Sequence, residues 1–313
     1  MKPTKPEAIW QGVLPAITTP FDSQGRVDHD FLARHARWLV ENGCTGVVAL
    51  GSLGESPTLR FDEKVAILQT AVGALRGRAP VVAGIGTLST AEAVELAREA
   101  GRAGCDGLMI LPPYVYAGDP RETARHVAAV LRSTPLSCML YNNPIAYRTD
   151  FLPEQIAQLA EQHPNLHAVK ESSGDVRRIT ALRARCGDRL ALLVGVDDLI
   201  VEGVRAGAVG WIAGLANALP RESVALFELA RRGPAARADK LYEWFLPLLR
   251  LDTANKFVQL IKLVQQETGT GSERVRPPRL PLTGPERRAA LDLIRASLAR
   301  RPKDKTVCTR SRP

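Results

Sequence analysis

One unit recurs eight times along this chain. A short apolar run is followed each time by a longer segment with helical spacing. The runs occupy 12–21, 46–52, 80–86, 107–113, 137–144, 167–173, 191–198 and 210–216. Their near-continuous apolar character suits parallel strands buried on both faces. Between them, 29–41 places Phe31, Leu32, His35, Trp38 and Leu39 on one helical stripe. Asn42-Gly43 then supplies a stop. Ser89, with Glu92 three residues on, predicts a reciprocally capped helix over 90–103. Eight such units in about 230 residues predict an α/β fold, a (β/α)8 TIM barrel with a C-terminal helical appendage. The alternative is an open doubly wound sheet. It would need a GxGxxG turn after the first strand, and GIGTLS at 84–89 is only a fragment of one.

The expected boundaries are a barrel over 1–232, helices packed on it over 233–301, and a basic flexible tail over 302–313. Ala235–Arg250, Thr253–Glu267 and Gly284–Arg300 read as the appended helices, split by Asp252 and a Gly/Pro-rich loop over 269–285.

Composition narrows the function classes. With 45% hydrophobic and 24% charged residues among 313, a disordered or fibrous chain is excluded. No run of eighteen apolar residues suggests a membrane span, and the first ten residues lack the apolar core of a secretory signal. Cys44, Cys105, Cys138, Cys186 and Cys308 form no CxxC pair and read as reduced thiols of a cytoplasmic protein. The net charge of +9 hints at nucleic acid, yet residues 300–313 alone contribute +5 through Arg300, Arg301, Lys303, Lys305, Arg310 and Arg312 against Asp304. A solvated terminus explains that excess, so no nucleic-acid role is expected. His35, His126, His163 and His167 read as surface or packing residues, and no metal-ligand spacing is present.

In a (β/α)8 barrel the chemistry sits where the strands end. The second run ends in Gly51-Ser52-Leu53-Gly54-Glu55, the fifth in Tyr141-Asn142-Asn143-Pro144, the sixth holds Lys170-Glu171-Ser172-Ser173, and the seventh ends in Gly195-Val196-Asp197-Asp198. Lys170 is the only lysine between Lys64 and Lys240 and falls inside a predicted buried strand. Desolvation there would lower its pKa and free the amine to attack carbonyls. Position alone equally allows a solvent-facing lysine or one paired with Glu171. Tyr141 is either a packed ring or a proton carrier whose relay to solvent could be Ser52. The turn from Gly51 to Glu55 can cradle a carboxylate on backbone N–H groups, or Glu55 can simply brace it.

In combination these motifs are more specific. GSLGE, YNNP and VKESSGD, in this order, resemble the dihydrodipicolinate synthase / N-acetylneuraminate lyase family, and the likeness runs from about Gly12 to Arg300. The resemblance implies a class I aldolase-type barrel, a homotetramer, working through a lysine Schiff base without metal or organic cofactor. By position it makes Lys170 the Schiff-base lysine, Tyr141 the proton-transferring tyrosine and Ser52 the relay hydroxyl. The amides of Ser52 and Leu53 would hold the substrate carboxylate, and Gly195 and Ile212 would line the site. The partner is then a small 2-oxo acid or cyclic imino acid.

The departures bear on the substrate. Leu53 stands where the synthases have a second threonine, and Val115 where they have a tyrosine lent across a subunit contact. Ala146 stands where they have a substrate-binding arginine; Arg148 comes two residues late. Whether Arg148, Tyr147 or Tyr116 lines the pocket is left open. The phrases LYNNPIAY, GVDDL, WIAGLANALPRE and LDTANKFVQLIK resemble a narrower branch, 1-pyrroline-4-hydroxy-2-carboxylate deaminase of 4-hydroxyproline catabolism. The alternatives are an aldolase or dehydratase of a 2-oxo (sugar) acid, including 4-hydroxy-tetrahydrodipicolinate synthase.

Overall fold

The computed structural model describes residues 9–113, 116 and 118–302. Val115, Cys308 and the basic tail beyond Pro302 lie outside the described residues. Eight strands form one parallel sheet: β1 (Gly12–Pro15), β2 (Val47–Ala49), β3 (Val81–Ile85), β4 (Gly107–Ile110), β5 (Ser137–Asn142), β6 (Leu166–Glu171), β7 (Ala191–Val194) and β8 (Gly210–Ala213). Neighbours in sequence are neighbours in space, and β1 pairs with β8 through Gly12–Gly210 to Pro15–Ala213. Between β1 and β2 the seam is held by the Ala16–Val48 bridge, with the Ile17 N–H donating to Val48 O at 2.9 Å, and by the Thr45 N–H donating to Val13 O at 2.9 Å. The sheet is therefore a nearly closed (β/α)8 barrel. Almost every strand residue is buried, as apolar runs covered on both faces require.

Helices wrap the outside: α1 (His29–Glu41), α2 (Phe61–Leu75), α3 (Thr90–Ala103), α4 (Pro120–Arg132), α5 (Pro153–Gln162), α6 (Arg177–Cys186), α7 (Ile200–Arg205) and α8 (Pro220–Arg232). Their ends follow local chemistry. Asp28 caps α1 by accepting from Phe31 N–H at 2.9 Å. Asp119 and Glu122 form a full capping box ahead of α4. Ser89 accepts from Glu92 N–H at 3.2 Å, as expected, but the Glu92 carboxylate does not reach back; it pairs with Lys64 at 3.3 Å. On α1 the buried face is Leu32, His35, Ala36 and Leu39, with Trp38 only partly covered.

The C-terminal region is helical, as predicted: α9 (Ala235–Leu249), α10 (Phe257–Glu267) and α11 (Gly284–Ala299). One boundary differs. The helix expected from Thr253 begins at Phe257, and Arg250–Thr253 forms a separate 3-10 turn. That turn and α10 pack over the mouth of the barrel. Gln265 of α10 accepts from the Thr18 hydroxyl at 2.9 Å, and the Asn217 side chain joins Thr18 N–H, Ala16 O and Gly214 O. These buried polar groups satisfy one another and tie the appendage to β1 and β8.

Candidate active site

The C-terminal ends of the strands open into a cleft of about 480 Å³. Register explains its floor. β5 and β6 run parallel with Tyr141 beside Lys170, and paired residues of parallel strands share a face. The Lys170 ammonium lies 3.8 Å from the centre of the Tyr141 ring. Lys170 is 6% exposed, so neither solvent nor Glu171 accounts for it. Glu171 instead accepts from Asn142 Nδ2 at 3.1 Å and Ser173 N–H at 2.6 Å. Burial pushes the Lys170 pKa down to about 8, against the opposing pull of Asp252 and Asp197. A neutral amine is thus accessible near neutral pH.

Burial pushes the Tyr141 phenol up to about 12. Its hydroxyl accepts from Asn143 Nδ2 at 2.9 Å. The Ser172 hydroxyl lies close enough to favour the ionised phenol, yet it is 2% exposed and makes no hydrogen bond of good geometry. Ser52 was expected to meet Tyr141. It hydrogen-bonds the Tyr147 hydroxyl instead, and the Tyr147 ring stands edge-on to Tyr141 at 5.7 Å and 85°. Tyr147 therefore enters the cleft. Arg148 and Tyr116 are exposed and are not among its lining residues. Arg148 takes a left-handed φ of 56° as the C-cap of the one-turn helix Pro144–Tyr147, which carries it out of the site.

Ser52 and Leu53 line the opposite wall, and their backbone N–H groups have no partner among the described residues. Two non-glycine residues flanking this turn, Leu50 and Glu55, hold φ of 62° and 57°. Such conformations persist only where surroundings enforce them. Gly84 meets part of that demand: a Cβ there would lie 2.6 Å from Leu50 O. The first glycine of GIGTLS thus serves close packing of strand and turn, while Gly86 faces the Leu111 side chain. Glu55 meets the rest from the other side. It is fully buried and paired with Lys262 of α10 at 2.6 Å, while Lys262 also donates to Thr19 O and Arg274 O. Arg276 N–H donates to the second Glu55 oxygen at 3.0 Å. Glu55 is the brace, and the appendage supplies its counter-charge.

Gly195 and Ile212 both line the cleft. A Cβ on Gly195 would sit 2.0 Å from Ser172 Oγ and 2.5 Å from Lys170 Cε, so the absence of a side chain makes room for the lysine. Two carboxylates to which the sequence assigns no role also belong to the site. Asp197 is fully buried and accepts from Trp211 Nε1 at 2.9 Å, Gly214 N–H at 3.1 Å and Leu215 N–H at 2.8 Å. Burial still pushes it up to about 6. Asp252, read from sequence only as a helix break, lines the cleft across from Gly214.

The molecule is a parallel (β/α)8 barrel with a desolvated lysine at its C-terminal mouth. The Dihydrodipicolinate synthetase family model matches residues 10–297. The chain belongs to that family, and it is an enzyme of the lyase class. It is 34% identical over 284 residues to the 4-hydroxy-tetrahydrodipicolinate synthase of Rhizobium meliloti (strain 1021), covering 91% of this chain and 97% of the relative. It is 37% identical over 272 residues to the enzyme of that name from Parasynechococcus marenigrum (strain WH8102), covering 86% and 89%. The solved 4-hydroxy-tetrahydrodipicolinate synthase of Methylacidiphilum fumariolicum SolV superposes with a TM-score of 0.86 at 30% identity, covering 93% and 97%. Among the described residues no helix is long and apolar enough to cross a membrane.

Proposed function

We propose that the protein is a Schiff-base lyase in which Lys170 condenses with C2 of a small 2-oxo acid or cyclic imino acid. The observation that carries this is the buried Lys170 amine, its pKa lowered to about 8, facing a cleft against the Tyr141 ring. The free amides of Ser52 and Leu53 would anchor the substrate carboxylate and position C2 for attack. The assembly proposed is a homotetramer.

Within this class we favour deamination of 1-pyrroline-4-hydroxy-2-carboxylate. Leu53 and Ala146 leave an apolar wall where the family's synthases carry a hydroxyl and an arginine. The neutral Lys170 amine attacks C2; the ring C2–N bond breaks, and its electron pair stays on nitrogen, which takes a proton. A C3 proton then leaves and the C4 hydroxyl departs as water, with Tyr141 as proton carrier and the Ser52–Tyr147 pair as outlet. A proton shift moves the unsaturation to C5. Two waters enter, one freeing Lys170 as the 2-oxo group forms and one replacing nitrogen at C5. The sum is one water consumed, with ammonia and 2-oxoglutarate semialdehyde released.

The relatives' names favour a second reading, 4-hydroxy-tetrahydrodipicolinate synthase, and nothing in those comparisons points to the deaminase. One experiment separates them. Freshly oxidised 4-hydroxyproline is offered to wild type and Lys170→Ala, with the product coupled to a semialdehyde dehydrogenase. Release of ammonia and semialdehyde that depends on Lys170 supports the deaminase. A trappable pyruvate adduct with no such release, together with synthase turnover, overturns it in favour of the second reading.

A further inference from the structure

The cleft has two polar ends, and only one is absorbed by the reading above. Ser52 and Leu53 offer N–H donors suited to a carboxylate. Across the lysine, Asp252 offers the opposite chemistry. Its carboxylate makes no hydrogen bond or ion pair among the described residues, although Asp197 nearby spends both oxygens on three N–H donors. The cleft it lines is apolar over much of its wall, through Leu53, Met109, Leu111, Ile145, Ile212 and Phe257. A half-buried carboxylate that no protein group pairs with, facing the cleft, is free to take a ligand's donors.

The fold also makes room for it. A Cβ on Gly214 would lie 2.0 Å from Asp252 Oδ1 and 2.5 Å from its Cγ, so the carboxylate rests where a side chain on Gly214 would be. The 3-10 turn at Arg250–Thr253 delivers it there in place of a continuous helix. Asp252 acts on Lys170 and Asp197 through space, and it lines the same cleft as the lysine.

We infer that Asp252 is the second anchor for substrate, accepting hydrogen bonds from a positively charged nitrogen at or next to the carbon that Lys170 attacks. The substrate class is then an amino or imino acid, with the carboxylate on the Ser52–Leu53 amides and the nitrogen on Asp252. A sugar acid would offer Asp252 hydroxyl donors but no opposite charge. The inference rests on the Schiff-base reading and suits both candidate activities, because the ring named in the synthase product also contains nitrogen. Burial and the neighbouring Asp197 raise the Asp252 pKa well above the usual carboxylate range, and a cationic nitrogen on the carboxylate would pull it back down.

The test uses two unreactive five-membered rings, proline and tetrahydrofuran-2-carboxylate. They differ in a ring ammonium against a ring oxygen, and neither has a C2 double bond for Lys170 to attack. Each is measured as an inhibitor of borohydride-trapped pyruvate adduct formation on the full chain, and the readout is the ratio of the two inhibition constants. That ratio is internal to each variant, so altered lysine reactivity cancels. Wild type should prefer proline by at least about tenfold, the strength of a charge-assisted contact. Asp252→Asn should bring the ratio to near one. Gly214→Ala, which displaces the carboxylate without changing it, should do the same.

No preference in wild type, or a preference that survives Asp252→Asn, overturns the anchor. A wild type that shows the preference but forms product from neither candidate substrate would keep the anchor and remove the proposed activity. Ammonia release without the preference would do the reverse.

Discussion

Replacing Lys262 by methionine tests the claim that the active-site turn is held from outside the barrel. The substitution removes the ammonium at 2.6 Å from Glu55 and leaves a carboxylate with no solvent exposure. Glu55 keeps the Arg276 N–H at 3.0 Å, while the Arg279 guanidinium at 3.9 Å is too distant to replace the lost bond. Removing one partner of a buried pair costs about 3–5 kcal/mol. With an unfolding entropy of roughly 2.1 cal/mol/K per residue over some 300 residues, that corresponds to a fall in Tm of about 5–8 °C. Glu55→Gln together with Lys262→Met should recover most of the loss, because two neutral groups replace two charges. Scanning calorimetry on wild type, both single variants and the double variant completes the cycle. The turn reasoning predicts more than lost stability. At a temperature where Lys262→Met is fully folded, pyruvate adduct formation should also slow, since Leu50 and Glu55 lose what enforces their left-handed backbone. A Tm within 1 °C of wild type, or a double variant no better than the worse single one, would refute the coupling.

Other outcomes follow from the same geometry. Adduct formation should rise about tenfold per pH unit up to about pH 8 and then level off, because the lowered Lys170 pKa sets the fraction of neutral amine; a flat profile between pH 6 and 8 would contradict it. Gly195→Ala should cost about a hundredfold in adduct formation with folding intact by circular dichroism, since the new Cβ occupies the path of Lys170 Cε. Tyr141→Phe should still form adduct but lose about 10²–10⁴ in turnover, whereas Tyr147→Phe should lose less. Equal losses in the two tyrosine variants would place Tyr147 in the chemistry itself.

What the sequence makes legible is whatever acts locally or periodically. The eight apolar runs each become a strand because burial on both faces leaves no polar alternation to disguise them. Lys170 and Tyr141 stand out because each falls at a strand end, and parallel pairing makes such ends converge. Contacts across long separations leave no periodic trace. Ser52 and Tyr147 are 95 residues apart, and their hydroxyls meet only because β2 and β5 open at the same mouth. Asp252 looks like a helix break because it is one: the break lowers it over the cleft. The start of α10 shifts from Thr253 to Phe257 for the same reason, as helix-compatible residues at 253–256 are held out of the helix by the 3-10 turn. The GIGTLS glycines match part of a nucleotide-binding phrase, but Gly84 serves a clearance from Leu50 that no spacing rule encodes.

The brace at Glu55 also has a consequence for the order in which the protein is made. Lys170 leaves the ribosome roughly 90 residues before Lys262, which at 5–20 residues per second is a lead of about 5–20 s. During that interval the strands bearing the amine can pair, while the turn opposite it lacks its ammonium and Asp252 has yet to arrive. Full reactivity therefore waits on the last fifth of the polypeptide, which brings the counter-charge of Glu55 and the cleft residue Asp252.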